Sequence, residues 1–143
     1  MSKIVILSIK PEFADKILAG EKSIELRKCM PDAKAGDVVV IYSTDPVKAI
    51  VGICRIKEIL RLKPSLMWRD HRDTLGIDKK RFSDYFREVD TAVGIVLTSI
   101  LQLDHLLSLD AIKKVLPHFH PPQTFRYYPK TSLYKAYLNS IAV

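Results

Sequence analysis

The chain predicts an α+β fold, a single domain over residues 1–143 built on a small, curved, mostly antiparallel sheet with helices laid against it. Three observations carry that expectation. Two apolar stretches, 48–62 and 91–103, run longer than an ordinary strand, and each holds a glycine, Gly52 and Gly94, where a long strand can bend. Between the strand-like stretches lie short segments with apolar residues at helical spacing, opened by Pro, Asp or Ser. A hydrophobic content of 48% over 143 residues supplies one core, and no linker-like tract divides it.

In order along the chain, residues 3–9 hold Ile4, Val5, Ile6 and Ile9, a β-branched run that reads as a buried strand. Residues 11–19 place Phe13, Ala14, Ile17 and Leu18 at helical spacing, with Pro11 in the first turn and Gly20 as the stop. Residues 23–29 then alternate, with Ile24 and Leu26 on one face and Ser23, Glu25 and Arg27 on the other. After the turn-forming PDAKAGD, residues 38–42 read as a continuous apolar strand, and Asp45 and Pro46 mark the next turn. The long stretch 48–62 carries Arg55, Lys57 and Arg61 on one face.

Residues 64–86 change character and fit two short helices, the second capped by Asp78 and presenting Phe82, Tyr85 and Phe86. Residues 61–87 hold eight Lys or Arg against four Asp, with Trp68 and His71 among them. After the strand 91–103, Ser108 caps a helix that turns Leu109, Ile112, Val115 and Leu116 inward and Lys113 and Lys114 outward. The aromatic, basic and proline-rich tail 118–129 is expected on the surface in extended or turn conformation, and a last helix begins at Thr131 or Ser132.

Composition excludes several classes. No apolar run reaches the roughly 18 residues that a helix needs to span a bilayer, and the opening MSKIVILSIKPEF has no small-residue cleavage site. A cytoplasmic protein without a membrane partner is expected, with Cys29 and Cys54 on separate strands and reduced. There is no phosphate-cradling glycine loop and no nucleophile elbow, so no cofactor is expected. His118 and His120 lack a third ligand, so no metal site is expected either. The net charge of +7 favours a polyanionic partner.

The stretch GEKSIELRK, residues 20–28, concentrates the chemistry. Strand alternation sets Glu25 and Arg27 on one face, roughly 7 Å apart along the strand. The same alternation sends Lys22 to the other face, so its convergence with Glu25 requires a bulge or a turn where the strand starts. Gly20, Lys22, Glu25 and Arg27 reproduce the G-x-K-x-x-E-x-R signature of ASCH domains, in the PUA-like superfamily, and SIKPEFADKILAG resembles that family's opening strand and helix. The resemblance covers nearly the whole chain, least securely at 69–87. It implies a small curved PUA-like β-barrel decorated by helices, with the motif at the rim of a cleft that receives RNA, a nucleotide or a modified base.

On that resemblance the chain is expected to be an RNA- or nucleotide-binding module, with Lys22, Glu25 and Arg27 at a solvated cleft mouth. Tyr42 and Ser43 would add hydroxyl contacts, Arg69 and Arg72 phosphate contacts, and Phe125, Arg126 and Tyr127 platforms for unpaired bases. A regulatory role through the basic segment 61–87 ranks lower. The alternative is a hydrolase acting on RNA or on an N4-acylated cytidine, with Lys22 and Glu25 catalytic. Related amidohydrolases of the superfamily use a Lys, a Thr and a Glu. Here Lys22 matches the lysine, but Glu25 stands where those enzymes carry the Thr, and no residue is assigned to their Glu.

Overall fold

A computed structural model describes residues 3–29, 32–122 and 125–129. The element order is β1 (Lys3–Ile9), α1 (Pro11–Leu18), β2 (Ile24–Arg27), β3 (Val38–Ser43), β4 (Ala49–Leu62), α2 (Pro64–His71), a 3₁₀ turn (Arg72–Thr74), α3 (Lys79–Tyr85), β5 (Ala92–Ser108), α4 (Leu109–Val115) and β6 (Phe125–Pro129). The strands form one mixed sheet in the order β2-β5-β4-β3-β1-β6. The pair β1–β3 is parallel; the other four pairs are antiparallel.

Alternation along β1 explains its unbroken apolar run, because both faces of the strand are covered. Val5, Leu7 and Ile9 point to one face and pack with Ala14 and Ile17 of α1, Ile41, Cys54, Ile56 and Ile95. Ile4 and Ile6 point to the other and pack with Val40, Tyr42, Ile50, Leu107 and Ile112 of α4. A third cluster joins Ile24 and Leu26 of β2 to Met67, Leu75, Phe82 and Phe86, so α2 and α3 are anchored on the face of β2 opposite Glu25 and Arg27. Each fully buried Ile or Leu in these clusters contributes about 1.5–3 kcal/mol.

The sheet curls into a half-barrel, and a single side chain shows it. Arg27 on β2 donates from Nη2 to the Ser8 carbonyl of β1 at 3.0 Å, although β1 is four strands away in the sheet order. In a flat sheet that interval would be roughly 19 Å, beyond the reach of an arginine. The bending resides in β4 and β5, whose register shifts between Ile50 and Gly52, between Ile53 and Arg55, and between Ile56 and Glu58. At Gly52 an added Cβ would lie 2.7 Å from Leu18 Cδ2 and 3.0 Å from the Leu101 carbonyl oxygen, so close backbone approach requires glycine there.

Both anticipated caps form: Asp78 accepts from the Arg81 amide at 2.9 Å and Ser108 from the Ala111 amide at 3.1 Å. Two expectations change. β5 runs on to Ser108, five residues past the predicted end, because its pairing with β4 continues to Ala49↔Ser108. Cys29 lies beyond the end of β2, exposed, while Cys54 is buried on β4; both are free thiols. His118 and His120 sit on a loop, exposed, on either side of the buried Phe119. The tail does run extended as β6, antiparallel to β1. The expected last helix lies outside the described residues.

Candidate functional site

The turn that precedes β2 solves the geometric problem posed by Lys22. Gly20 takes φ +81°, the left-handed conformation that glycine adopts without strain, and the Glu21 and Lys22 amides both donate back to the Lys16 carbonyl. Lys22 therefore belongs to the end of α1 rather than to the strand, and strict alternation does not apply to it. Its Nζ lies 3.6 Å from Glu25 Oε1, while Arg27 Nη2 lies 2.8 Å from Glu25 Oε2. One carboxylate is held between two cations, leaving the trio with a net charge of +1.

The sequence reading set this trio at a solvated mouth; the structure instead buries it, with Lys22 3%, Glu25 8% and Arg27 9% exposed. The segment after α2 provides the cover. Lys22 Nζ donates to the Leu75 carbonyl at 2.6 Å, and the Ser23 amide donates to the Thr74 carbonyl at 3.0 Å. Gly76, at φ +65°, lies so near the Lys22 stem that an added Cβ would be 2.7 Å from Lys22 Cβ. Burial pushes the Lys22 pKa below its ordinary value, and the Glu25 charge opposes that shift.

All three residues line a cleft of about 860 Å³, within the size range of small-molecule sites. Its walls include Ile9, Phe13, Leu26, Ile77, Tyr85 and Pro122, and polar groups from Lys10, Glu12, Thr44, Arg81 and Asp84 join them. Lys22 Nζ stands 5.4 Å from the centroid of the Phe13 ring, and the Arg81 guanidinium carbon also stands 5.4 Å from it. Arg81 grips Glu12 with two hydrogen bonds of 2.8 Å and Asp78 with one of 2.6 Å, tying α3 to α1. Hydrogen bonds from Arg81 and Lys16 hold the Glu12 carboxyl down at about 2.

The other candidates scatter. Tyr42 is buried among Ile6, Ile50 and Ile112 under α4, and burial raises its hydroxyl pKa. Ser43 is buried, and its Oγ has no hydrogen-bond partner among the described residues. Neither lines the cleft. Arg69 is exposed and bound to the adjacent Asp70 at 2.8 Å, and Arg72 is exposed in the 3₁₀ turn; neither lines the cleft either. The backbone of Phe125, Arg126 and Tyr127 is placed in β6, but their side chains lie outside what is described. Sequence reasoning missed Phe13, Arg81 and Tyr85 as cleft residues. All three carry the helical spacing of core or surface positions, and only packing of α3 beside α1 brings them to the motif.

Comparison with known proteins gives consistent results. The ASCH domain family profile matches residues 7–105. An ASCH domain-containing ribonuclease of Zymomonas mobilis is 28% identical over 137 residues, covering 93% of this chain and 89% of that protein. The crystal structure of ASCH from Zymomonas mobilis superposes with a TM-score of 0.88 at 25% identity, over 94% of this chain and 93% of that one. At the level of fold alone, human THYN1, solved in complex with 5-methylcytosine-containing DNA, matches with a TM-score of 0.59 at 11% identity over 99% of this chain and 100% of that one. With most of its length inside the family profile and the motif residues gathered in one cleft, the chain belongs to the ASCH domain family.

Proposed function

We propose that this protein binds single-stranded RNA and draws one unstacked base into the cleft above Lys22, Glu25 and Arg27. The convergence of the motif carries this reading: one carboxylate between two cations, at a cleft whose walls include the rings of Phe13 and Tyr85. Aromatic and apolar walls with a few fixed polar groups suit a base better than a bare phosphate. The +7 charge of the chain suits the polyanion to which such a base is attached. The ribonuclease name of the Zymomonas relative and the DNA complex of the human neighbour support a nucleic-acid ligand.

The test is fluorescence anisotropy with labelled single-stranded RNA, alongside Lys22→Ala. Wild type should bind, and the variant should lose about 1.5–3 kcal/mol of binding if a charged hydrogen bond is removed. Normal RNA binding by a variant that melts early would make the trio a purely structural ion network.

A second reading is hydrolysis, of RNA or of an N4-acylated cytidine, and the lowered pKa of Lys22 favours it. An amine shifted toward neutrality can exchange a proton with a reacting group. For acyl transfer, Glu25 presents a carboxylate where a hydroxyl nucleophile would be needed, so cleavage of RNA is the stronger form. Mass spectrometry of RNA and N4-acetylcytidine after incubation separates the cases. Acetate release lost in Lys22→Ala would put the nucleoside hydrolase first.

A further inference from the structure

The order of hydrogen-bonding groups on the cleft floor singles out one base. Glu25 has a cation at each end of its carboxylate, Lys22 Nζ toward Oε1 at 3.6 Å and Arg27 Nη2 on Oε2 at 2.8 Å. The floor thus reads donor, acceptor, acceptor, donor. A carboxylate only accepts; Oε2 takes one hydrogen bond from Arg27, Oε1 has the Lys22 ammonium near it as an ion pair, and each oxygen can accept a further donor. The Glu25 side chain retains 10% exposure and lines the cleft, so its carboxylate borders the ligand space.

Four base edges can be compared with that order. Uracil offers one N–H between two carbonyl oxygens and would set an acceptor against a carboxylate oxygen. Adenine and cytosine each offer an amino group beside an acceptor ring nitrogen, with the same conflict. Guanine alone places two donors side by side, N1–H and the 2-amino group, with the O6 acceptor next to them. The two donors match Oε1 and Oε2, and O6 falls beside Lys22 Nζ, since both hydrogens of Arg27 Nη2 go to Glu25 and Ser8. Mismatched bases would leave a buried acceptor opposite an acceptor, and that penalty, more than the gain of a hydrogen bond, makes such sites selective.

We infer that the cleft is a guanine pocket, in which Glu25 pairs with the Watson–Crick edge of an unpaired guanine in single-stranded RNA. This inference rests on the RNA-binding reading above. The test uses wild-type protein and labelled uridine hexamers bearing one central guanine, adenine, cytosine, inosine or 7-deazaguanine. The guanine hexamer should bind tightest, and inosine, which lacks the 2-amino donor, should bind about tenfold weaker. The 7-deazaguanine hexamer, altered only on the opposite edge, should equal guanine. Glu25→Gln should erase the difference between guanine and inosine while keeping the weaker affinity common to all hexamers. If that variant does not fold, the wild-type comparison of inosine with 7-deazaguanine still decides. Equal binding of all hexamers, or preference for another base, would overturn the guanine assignment while leaving RNA binding intact. Binding of none would remove both.

Discussion

Lys22 is the residue on which a buried charge and the proposed binding site meet. An ammonium at 3% exposure is expensive to desolvate, and the Leu75 carbonyl, the Glu25 carboxylate and the Phe13 ring offset that cost. Replacing Glu25 by Gln removes the charge that faces both cations, and chemical denaturation should show a loss of about 3 kcal/mol. The lowered pKa of Lys22 also has a signed consequence. Between its folded value and the ordinary 10.5, the unfolded chain holds a proton that the folded chain has released, so stability rises with pH across that window. Below the window the desolvation penalty is fully present. Urea midpoints from pH 7 to 10 should therefore climb in wild type relative to Lys22→Met, which has no amine to titrate; parallel curves would show that Lys22 does not titrate in this way.

Among the elements, the segment between α2 and α3 shapes the candidate site by closing over Lys22 and setting Ile77 in the cleft wall. Gly76→Ala would force a side chain into a left-handed backbone and against the Lys22 stem. We expect about 1–3 kcal/mol of destabilisation together with weaker RNA binding. Ser108→Ala offers the contrast: losing the cap of α4 should cost about 1 kcal/mol and leave binding unchanged, because α4 packs on the sheet face away from Glu25. A binding defect in Ser108→Ala that exceeds its stability defect would contradict that separation. Gly52→Ala should be harsher than the cap, since the Leu101 backbone at 3.0 Å cannot swing aside as a flexible side chain could.

At the scale of the whole molecule, charge is the long-range term. RNA affinity should fall steeply with salt as phosphate contacts release condensed counterions, and a flat response would count against a polyanionic ligand. Arg69 and Arg72 lie outside the cleft and are exposed, so reversing both to Glu should weaken binding of all the hexamers alike and leave the preference among bases untouched. A loss confined to one base would place them in recognition instead. No helix among the described residues is long and apolar enough to cross a membrane.

Local pattern carried most of the fold into the sequence. Period-two alternation placed Glu25 and Arg27 together, Pro11 and Gly20 bounded α1, and Asp78 and Ser108 capped their helices, because each is set by neighbours within a few residues. The motif likewise named three of the groups that line the candidate cleft, Lys22, Glu25 and Arg27. Three things were decided only in three dimensions. Lys22 reaches Glu25 because the end of α1 wraps its backbone back to Lys16. Lys22 is buried because Leu75 and Gly76, more than fifty residues away, close over it. The cleft has Phe13, Arg81 and Tyr85 in its walls because the sheet curls and α3 docks beside α1. Local spacing cannot encode such contacts, since they arise from packing between distant segments, and burial, which lowers the Lys22 pKa, is a property of that packing alone.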